Sequence, residues 1–387
     1  MQHRILFLSS WYPNPDNKAF GIFVKRAAEA ASLYNKVAVL YVHGQETLQH
    51  EMKIEAKEEK GVLDVYVFYK KKKRNPITKF FDYKKYHREG LEYVLKNWGK
   101  PDIIQLNIFY PAAIAALYIS KIIKVPFIAC EHWTGYHPED GSYGGFLRKY
   151  FTKRAAEKAK AIITVSEDLK SRMEKFELKG NYKVIPNVVN TEVFKCAPKL
   201  NSEKFRFLHV SSLDPRQKNV EGLIDVFKEL NNKINNTELI IIGNSENKEA
   251  LEKRCGSFLY SSIFFLGQQF DQALADEFNK ANSFVLFSNY ESTLPVVALE
   301  SICCGTPVIV SNVGGAHEYM KEELGYLVPP KDHSALLATM QKMIAENMRF
   351  NREAISNYGK ENFSFNRIGK LLSEVYDEII TRSNTKP

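Results

Sequence analysis

Short apolar runs alternate with helix-length segments along the chain, a pattern typical of parallel strands joined by helices. In the first half, the strand-like runs are Ile5–Leu8, Val37–Tyr41, Val65–Phe68, Ile103–Leu106, Phe127–Cys130, Ile162–Val165 and Lys183–Ile185. In the second half, they are Phe207–Val210, Leu239–Ile242, Ile263–Leu266, Phe284–Phe287, Val308–Val310 and Gly325–Val328. This alternation predicts an α/β protein, and its repetition predicts two Rossmann-like domains.

The length of 387 residues suits two domains of similar size better than one core. The segment 187–204 contains Pro198 and has little periodicity, so we place the linker there. The predicted division is an N-terminal domain at 1–190, a C-terminal domain at 191–365 and a final helix within 366–387. Two such lobes are expected to enclose a cleft, which is a common place for small-molecule binding.

Composition narrows the class of protein further. Apolar residues make up 44% and charged residues 26% of the chain, as in ordinary soluble globular proteins. The sequence has no apolar run long enough to span a bilayer, and its N-terminus turns polar too soon for a signal peptide, so we expect a cytoplasmic protein. Disulfide-framework and zinc-ligand spacings are absent among the cysteines, which are Cys130, Cys196, Cys255, Cys303 and Cys304.

Positive charge is concentrated in the first half of the chain. Residues 1–190 carry a net charge of +12 and residues 191–387 a net charge of −3, which together give the total of +9. The densest basic cluster is 70–74, followed by pairs at 148–149 and 153–154. This half either presents a solvated basic face or contacts an anionic membrane surface. The chain lacks the motifs of known nucleic-acid-binding modules, so we expect no nucleic-acid partner.

The segment 284–315 contains the most informative local pattern. Two buried strands flank an acidic loop with Glu291 and a helix with Glu300. In parallel sheets, ligands bind beyond the carboxyl ends of strands, where the amides at a helix start suit a phosphate. One carboxylate can then hold sugar hydroxyls and the other a ribose, without a metal. The alternative is that both glutamates merely cap or solvate a surface helix.

This segment resembles the donor-site signature of retaining glycosyltransferases with the two-domain GT-B architecture, the large family 4 (bacterial group 1) transferases. The run Cys304-Gly305-Thr306-Pro307-Val308-Ile309 fits the family pattern throughout. The family spaces its two glutamates by seven residues, whereas eight separate Glu291 from Glu300. Either the loop has one extra residue and Glu291 still reaches the sugar, or the backbone amides of Ser292, Thr293 and Leu294 take over that contact.

Two motifs of the first half extend the resemblance. Ser9-Ser10-Trp11-Tyr12-Pro13 leads to Gly21-Ile22-Phe23, and a glycine before a helix start lets the backbone approach a pyrophosphate. The resemblance makes Gly21 a donor phosphate contact; otherwise it is a helix-start glycine. Glu131-His132-Trp133-Thr134-Gly135-Tyr136 follows a strand, and similar transferases use a histidine here against the transferred sugar. His132 is therefore either that catalytic-site residue, in neutral form, or a structural histidine.

A third motif follows the first strand of the second half. The family has an arginine just after this strand and a lysine about five residues later, and together these hold the pyrophosphate. This chain has Ser212 at the arginine position, Lys218 at the lysine position and Arg216 close enough to replace the guanidinium. Cations here stabilise the charge that develops on the departing diphosphate. The alternative is that both are solvated loop cations.

The resemblance implies several further assignments. Gln268 presents backbone to the nucleobase, the final helix crosses back over the first domain, and Ile185 to Asn190 matches an interdomain segment with departures at Val188 and Asn190. No cofactor and no metal are implied.

Taken together, these motifs imply transfer of a sugar from a UDP- or GDP-linked donor to an acceptor hydroxyl with retention of anomeric configuration. Glu291 and His132 act at the sugar, and Glu300 binds the ribose. The expected setting is bacterial surface polysaccharide or glycolipid assembly, with a saccharide or lipid-linked acceptor and peripheral contact with the inner face of the membrane.

Other readings stay open. The chain is alternatively a sugar-nucleotide epimerase or a phosphorylase on similar lobes, although a lysine-bound cofactor motif for the latter is lacking in the sequence. It is alternatively a degenerate nucleotide-sugar binding protein, in which Ser212 and the longer glutamate loop mark lost activity.

Overall fold

The computed structural model describes residues 2–73, 75–198, 203–291 and 295–384. The chain divides into two compact units. The first comprises Met1–Val188 together with Phe365–Pro387, and the second comprises Val189–Ser364. The chain therefore leaves the first unit and later returns to it with a helix that follows the second unit.

The first unit is built on one twisted sheet whose strands lie in the order β3-β4-β2-β1-β5-β6-β7-β8. All pairings are parallel except that of β3 with β4. The central strands are mostly apolar and almost entirely buried because helices cover both of their faces. The strands are β1 (Arg4–Ser9), β2 (Lys36–Gln45), β3 (Met52–Glu59), β4 (Val62–Lys70), β5 (Ile103–Asn107), β6 (Phe127–Glu131), β7 (Ile162–Thr164) and β8 (Tyr182–Val184).

Strand β3 is absent from the elements predicted by apolar runs. Its sequence MKIEAKEE carries charged residues at most positions, and its side chains are partly or fully exposed. It forms the edge of the sheet and pairs antiparallel with β4, from Met52 opposite Tyr69 to Glu59 opposite Val62. Charged residues on an edge strand discourage pairing with other chains, so the apolar pattern that reveals a buried strand is missing here.

Helices cover the two faces of this sheet with separate cores. The helices are α1 (Ile22–Ser32), α2 (Pro76–Asn97), α3 (Phe109–Ile123), α4 (Phe146–Lys158), α5 (Glu167–Lys175) and α14 (Phe365–Asn384). Helices α2 to α5 pack on one face, and α1 and α14 pack on the other. Helix α2 begins sharply because the Asn75 side chain accepts a hydrogen bond from the Thr78 amide and Pro76 occupies the first turn.

Helix α14 packs closely against α1. A Cβ atom at Gly369 would lie 2.2 Å from the Ala30 carbonyl oxygen, so only glycine permits this approach of the two backbones. The contact is extended by Tyr376, whose hydroxyl donates to the buried Gln105 side chain, and by an ion pair of 2.6 Å between Lys183 and Glu378. The last described helix is therefore part of the core of the first unit.

The second unit contains a fully parallel sheet in the order β11-β10-β9-β12-β13-β14. Its strands are β9 (Phe205–Val210), β10 (Thr237–Ile242), β11 (Ile263–Gly267), β12 (Ser283–Leu286), β13 (Val308–Ser311) and β14 (Gly325–Val328). Its helices are α6 (Pro215–Lys218), α7 (Val220–Lys233), α8 (Lys248–Cys255), α9 (Asp271–Lys280), α10 (Val296–Cys303), α11 (Ala316–Tyr319), α12 (His333–Ala345) and α13 (Arg352–Phe363). Short 3-10 turns occupy Thr134–Tyr136, Gly256–Phe258 and Asn347–Arg349.

Both sheets contain a point at which the direction of strand addition reverses. In the first unit the order reverses between β1 and β5, and in the second between β9 and β12. The loops that leave two neighbouring strands at such a point diverge to opposite faces and open a crevice beyond the carboxyl ends. The sequence motifs singled out above follow β1, β6, β9 and β12.

Candidate functional site

The switch point of the second unit brings two predicted site residues together. Lys218 ends the short helix α6, which follows β9, and Glu291 lies in the loop that follows β12. The Lys218 Nζ atom contacts Glu291 Oε1 as an ion pair, with side chains that are 11% and 8% exposed. The loops after the two central strands are thus joined by one largely buried pair of opposite charges.

The Glu291 carboxylate has further donors on both oxygens. Gln217 Nε2 donates to Oε2 at 2.9 Å, and Ser288 Oγ donates to Oε1 at 2.8 Å. Because a buried carboxylate is costly without partners, these contacts offset the burial of the Glu291 side chain and hold it in one orientation. Sequence reasoning assigned no role to Gln217 or Ser288, although Gln217 directly precedes the predicted lysine.

Local capping explains how the chain after β9 reaches this position. The Asp214 side chain accepts from the Arg216 amide and starts α6, and Asn219 adopts a left-handed conformation whose side chain caps α7 through the Gly222 amide. The Asn289 amide then donates to the Gln217 carbonyl at 2.7 Å. Short polar side chains thus fix the turn that presents Lys218.

Arg216 is not brought to the buried pair. Its side chain is 80% exposed, and its guanidinium lies 3.7 Å from the Asp214 carboxylate. Ser212, at the position where the family has an arginine, is also exposed. The loop after β9 thus contains one largely buried cation, Lys218, and one exposed cation, Arg216.

The other predicted donor residues of this unit lie on different elements. Glu300 is buried on α10, the helix that follows the Glu291 loop. Gln268 is exposed directly after β11, two strands away from β9. The predicted backbone contacts at Ser292, Thr293 and Leu294 lie outside the described residues. The structure thus places Lys218 with Glu291 and leaves Gln268 apart from them within the sheet order.

His209 is a buried residue of this switch point that sequence reasoning missed. Its Nδ1 lies 3.0 Å from the Val285 carbonyl oxygen and its Nε2 2.8 Å from Ser211 Oγ. Since a carbonyl only accepts, Nδ1 carries the proton and Nε2 accepts from the hydroxyl. Burial is the main cause that lowers the pKa of His209 to about 4; the positive charge of Lys218 acts in the same direction, and the hydrogen bond to the Val285 carbonyl opposes the shift. A histidine inside an apolar strand gives no periodicity signal that would have marked it.

Gly21 of the first unit lies where the β1 loop meets α1. It has a φ of 67°, and a Cβ atom at this position would lie 2.4 Å from the backbone carbon and oxygen of Trp11. Both the left-handed conformation and the close approach exclude any other residue without a shift of the backbone. The glycine predicted as a phosphate contact therefore has a packing role that is visible in the fold.

His132 follows β6 at the carboxyl edge of the first sheet. Its Nδ1 lies 2.9 Å from Asn187 Oδ1, its Nε2 lies 3.3 Å from Cys130 Sγ, and its ring packs 4.6 Å from the Phe23 ring. Burial lowers its pKa to about 4, although the Asn187 hydrogen bond opposes the shift. The imidazole is therefore neutral at physiological pH.

Glu131 is a buried carboxylate beside this histidine, and no role was predicted for it. Its Oε1 accepts from the amides of His132 and Trp133 at 2.9 and 3.1 Å. Its Oε2 accepts from the Phe109 amide at 3.1 Å and the Tyr136 hydroxyl at 3.2 Å. Burial raises its pKa, and these four hydrogen bonds oppose the shift. Glu131 therefore fixes the His132 loop against the start of α3.

The described part of the chain contains neither a cluster of metal-ligating side chains nor a helix suited to spanning a membrane. No group of three or more His, Cys, Asp or Glu side chains in residues 2–73, 75–198, 203–291 and 295–384 is arranged to hold a metal ion. Within the same ranges, no helix has the length and apolar character needed to cross a membrane.

Comparison with known families identifies the class of protein. Residues 190–362 match the family described as glycosyl transferases group 1, and residues 23–193 match glycosyltransferase family 4. The two matches together span nearly the whole chain, and both belong to the same kind of transferase. The chain belongs to the group 1 glycosyltransferases of family 4, which confirms the resemblance read from the donor-site motif.

Curated relatives are about a quarter identical to this chain over the aligned residues. An uncharacterized glycosyltransferase of Methanocaldococcus jannaschii is 26% identical over 72% of this chain and 76% of its own length. A phosphatidyl-myo-inositol mannosyltransferase of Mycobacterium leprae is 25% identical over 69% of this chain and 71% of its own length. These relatives support glycosyl transfer as the activity of the chain.

Solved structures confirm the predicted fold class. Sucrose-phosphate synthase of Thermosynechococcus elongatus superposes with a TM-score of 0.77 at 20% identity, covering 98% of this chain and 100% of that one. Anabaena Alr3699/HepE, in complex with UDP-glucose, gives a TM-score of 0.71 at 17% identity and covers 97% and 100%. At these identities the likeness concerns the fold, which is the two-domain GT-B arrangement of Rossmann-like domains expected from the sequence.

Proposed function

We propose that this glycosyltransferase moves a sugar from a nucleoside-diphosphate sugar, UDP- or GDP-linked, to an acceptor hydroxyl with retention of anomeric configuration. The observation that supports this best is the Lys218–Glu291 pair at the switch point of the second unit. A cation and a carboxylate at the carboxyl ends of the two central strands match the two demands of such a donor, a charged diphosphate and a polyhydroxylated sugar.

Under this proposal, each predicted donor-site residue of the second unit has a definite role. Lys218 exchanges its carboxylate partner for the diphosphate, and the released Glu291 accepts hydrogen bonds from sugar hydroxyls. Glu300 binds the ribose, and Arg216, long and exposed, reaches the phosphates from the rim. Gln268 and the backbone at Ser292, Thr293 and Leu294 contact the nucleobase and the sugar phosphate as the family motif implies. Lys218 and Arg216 stabilise the negative charge that develops on the departing diphosphate, and this step needs no metal.

In the first unit, Gly21 brings backbone amides close to the phosphate, and His132 offers its ring or adjacent backbone to a sugar hydroxyl. The acceptor oxygen forms its bond to the anomeric carbon on the same face from which the diphosphate leaves. The bond from the anomeric carbon to the diphosphate oxygen breaks, and that oxygen takes the acceptor proton. The neutral state of His132 suits this scheme because no strong general base is required.

The acceptor we propose is a saccharide or lipid-linked saccharide of surface polysaccharide or glycolipid assembly, reached at the inner face of the membrane. Support comes from the basic first half of the chain and from the relative in Mycobacterium leprae named for transfer to phosphatidyl-myo-inositol. A lipid-linked acceptor requires the enzyme to work at a bilayer surface, where basic residues contact anionic headgroups.

The test begins with thermal shifts in the presence of UDP, GDP, ADP and their sugars, because a ligand that binds only the folded protein raises the melting temperature. The best donor is then used in transfer assays with mono- and disaccharide and lipid-linked acceptors. Lys218→Ala and Glu300→Ala are expected to lose most transfer, while Lys233→Ala, an exposed lysine paired with Glu229, keeps it. Donor binding without turnover on any acceptor would favour the degenerate binding protein, and donor isomerisation would favour the epimerase.

A further inference from the structure

Exposed apolar side chains are concentrated on three neighbouring helices of the first unit. Ile77 on α2 is 70% exposed and Phe146 at the start of α4 is 80% exposed. We call the docking surface the set of exposed large hydrophobic residues on α2, α3 and α4, which are Ile77, Phe81, Ile122, Phe146, Leu147 and Tyr150. Scattered single residues of this kind need no explanation, but a contiguous group marks a site of interaction.

A row of ring contacts joins the part of the docking surface on α2, at Phe81, to the part on α4, at Tyr150 and Phe146. The Phe81 ring lies 5.6 Å from Phe80, and the Phe80 ring lies 5.7 Å from Phe151. Phe151 then contacts Tyr150 at 5.1 Å, and Tyr150 contacts Phe146 at 6.2 Å. The half-buried members of this row support the exposed ones from below, so the surface is held in shape by packing.

Two recesses adjoin this row and share some of its lining. One of about 360 Å³ lies between the end of β4, α2 and the start of α3, and the other of about 540 Å³ lies along α2, α3 and α4. Phe80 and Ile114 line both. Leu147 of the docking surface lines the first and Ile122 lines the second. The surface is therefore grooved as well as apolar.

Lysines surround the recesses. Lys71, Lys72 and Lys79 line the first, together with the carboxylate of Asp82. At the second, Lys84 places its Nζ 4.4 Å from the Tyr118 ring centroid, and Lys121 is also part of the lining. Lys72 and Lys71 pair with the exposed carboxylates of Glu51 and Glu46 at the strand ends. The net charge of +12 on residues 1–190 leaves an excess of cations in this half.

Helix geometry adds to the positive character. The most exposed members, Ile77 and Phe146, lie in the first turns of α2 and α4. These turns read Pro76-Ile77-Thr78-Lys79 and Phe146-Leu147-Arg148-Lys149, with basic side chains beside the apolar ones. A helix N-terminus carries a partial positive charge, so the apolar side chains project where two helix ends and several lysines face outward.

We propose that the docking surface binds an anionic lipid bilayer. Its aromatic and aliphatic side chains enter the interface below the headgroups, and the surrounding lysines contact lipid phosphates while their stems lie along apolar surface. The proposal rests on the membrane association included in the proposed function, and it goes beyond it by assigning the residues. Charge complementarity favours a bilayer over an apolar protein partner, which has no need of the cationic border.

The experiment is vesicle flotation with the full chain. Wild-type protein is expected to float with vesicles of phosphatidylglycerol and phosphatidylcholine, to float far less with phosphatidylcholine alone, and to bind more weakly at high salt. The double variant Ile77→Asp/Phe146→Asp is expected to partition at least about tenfold less, since two apolar anchors are lost and two charges are repelled by the lipid. Both sites are first-turn positions at which an acidic residue suits the helix dipole, so the fold is retained.

The control is Met348→Asp, which introduces a single aspartate at a side chain that is 95% exposed in the second unit. It is expected to float like the wild type. Absence of wild-type binding to anionic vesicles, or equal loss in Met348→Asp, would overturn the proposal. So would a wild-type dimer that the double variant converts to a monomer, because the surface would then be covered by a second copy of the chain.

Failure here is distinguishable from failure of the proposed function. Nucleotide-sugar binding by the wild type is measured in parallel by thermal shift, in the absence of vesicles. Donor binding without flotation refutes the docking surface alone. Flotation without binding of any nucleotide sugar refutes the donor site and leaves the docking surface in place.

Discussion

Replacing Lys218 by methionine tests how much the buried pair contributes to the second unit. In the variant, Glu291 keeps hydrogen bonds from Gln217 and Ser288 but loses its only ionic partner among the described residues. Breaking a largely buried ion pair by removing one partner costs roughly 3–5 kcal/mol, because the other charge stays buried. The two remaining donors reduce this loss, so we expect about 3 kcal/mol for Lys218→Met.

A loss of this size is measurable in the melting transition of the second unit. For a unit of this length, 1 kcal/mol corresponds to about 2–4 °C, so the expected shift is roughly 6–12 °C. The assay is calorimetry of the full chain. The unfolding transition of each unit is measured separately, because a two-unit protein need not unfold in one step. Lys233→Met, which removes an exposed partner of Glu229, is the control and is expected to cost less than about 1 kcal/mol.

The double variant Lys218→Met/Glu291→Gln separates stability from chemistry. It removes both charges, so its free energy of unfolding is expected to return to within about 1 kcal/mol of the wild-type value. Transfer activity should nevertheless stay absent, since the diphosphate loses its cation and the sugar its carboxylate. If the double variant is as unstable as Lys218→Met, the reasoning from uncompensated charge is refuted. If it is stable and active, the pair is only a structural tie between two loops.

Three further outcomes follow from the first unit and from the buried histidines. Gly21→Ala is expected to destabilise the protein by more than about 2 kcal/mol, because the new Cβ atom meets the backbone of the loop after β1. The control is Gly141→Ala, which has the same φ of 67° but open space around it and is expected to cost about 1 kcal/mol. Equal shifts in melting temperature for the two variants would contradict this prediction. Glu131→Gln places an amide donor against four donors and is expected to lose about 1–3 kcal/mol, measured by denaturation, and an unchanged midpoint would show that the loop does not depend on the carboxylate. The pKa values of His132 and His209 are lowered to about 4, so the unfolded chain binds more protons than the folded chain between about pH 4 and 6.5. The stabilisation is therefore complete above this window, and it falls by up to about 1.4 kcal/mol per pH unit and per histidine as the pH decreases through it. A free energy of unfolding that stays constant from pH 7 to 5 would contradict this prediction.

Much of the fold follows from the apolar pattern because central parallel strands are buried on both faces. The run at Ile103 to Leu106, for example, becomes β5 with every residue buried. The edge strand β3 was not predicted from the sequence, because its side chains are largely exposed and burial therefore imposes no apolar pattern on them. The α/β class and the family are confirmed, whereas the roles assigned to individual site residues stay predictions.

The candidate site was less predictable in its contacts than in its composition. Sequence motifs located Lys218 and Glu291, but their direct pairing depends on the strand order, in which β9 and β12 become neighbours although they are far apart in sequence. The roles of His209 and Glu131 depend on partners supplied by other elements, such as the Val285 carbonyl and the Phe109 amide. A local pattern cannot encode such partners, since the fold alone brings them close.

The close packing of α14 on α1 sets an order of events during protein synthesis. Residues of the second unit are contiguous in the chain, so a growing polypeptide can complete that unit while α14 is still unmade. Until then, apolar side chains around Val24 and Ala28 of α1 lack the cover that Ile368 and Leu372 later supply. The first unit is thus synthesised first but completed last. Its exposed apolar surface needs protection from aggregation while the ribosome translates the second unit and α14.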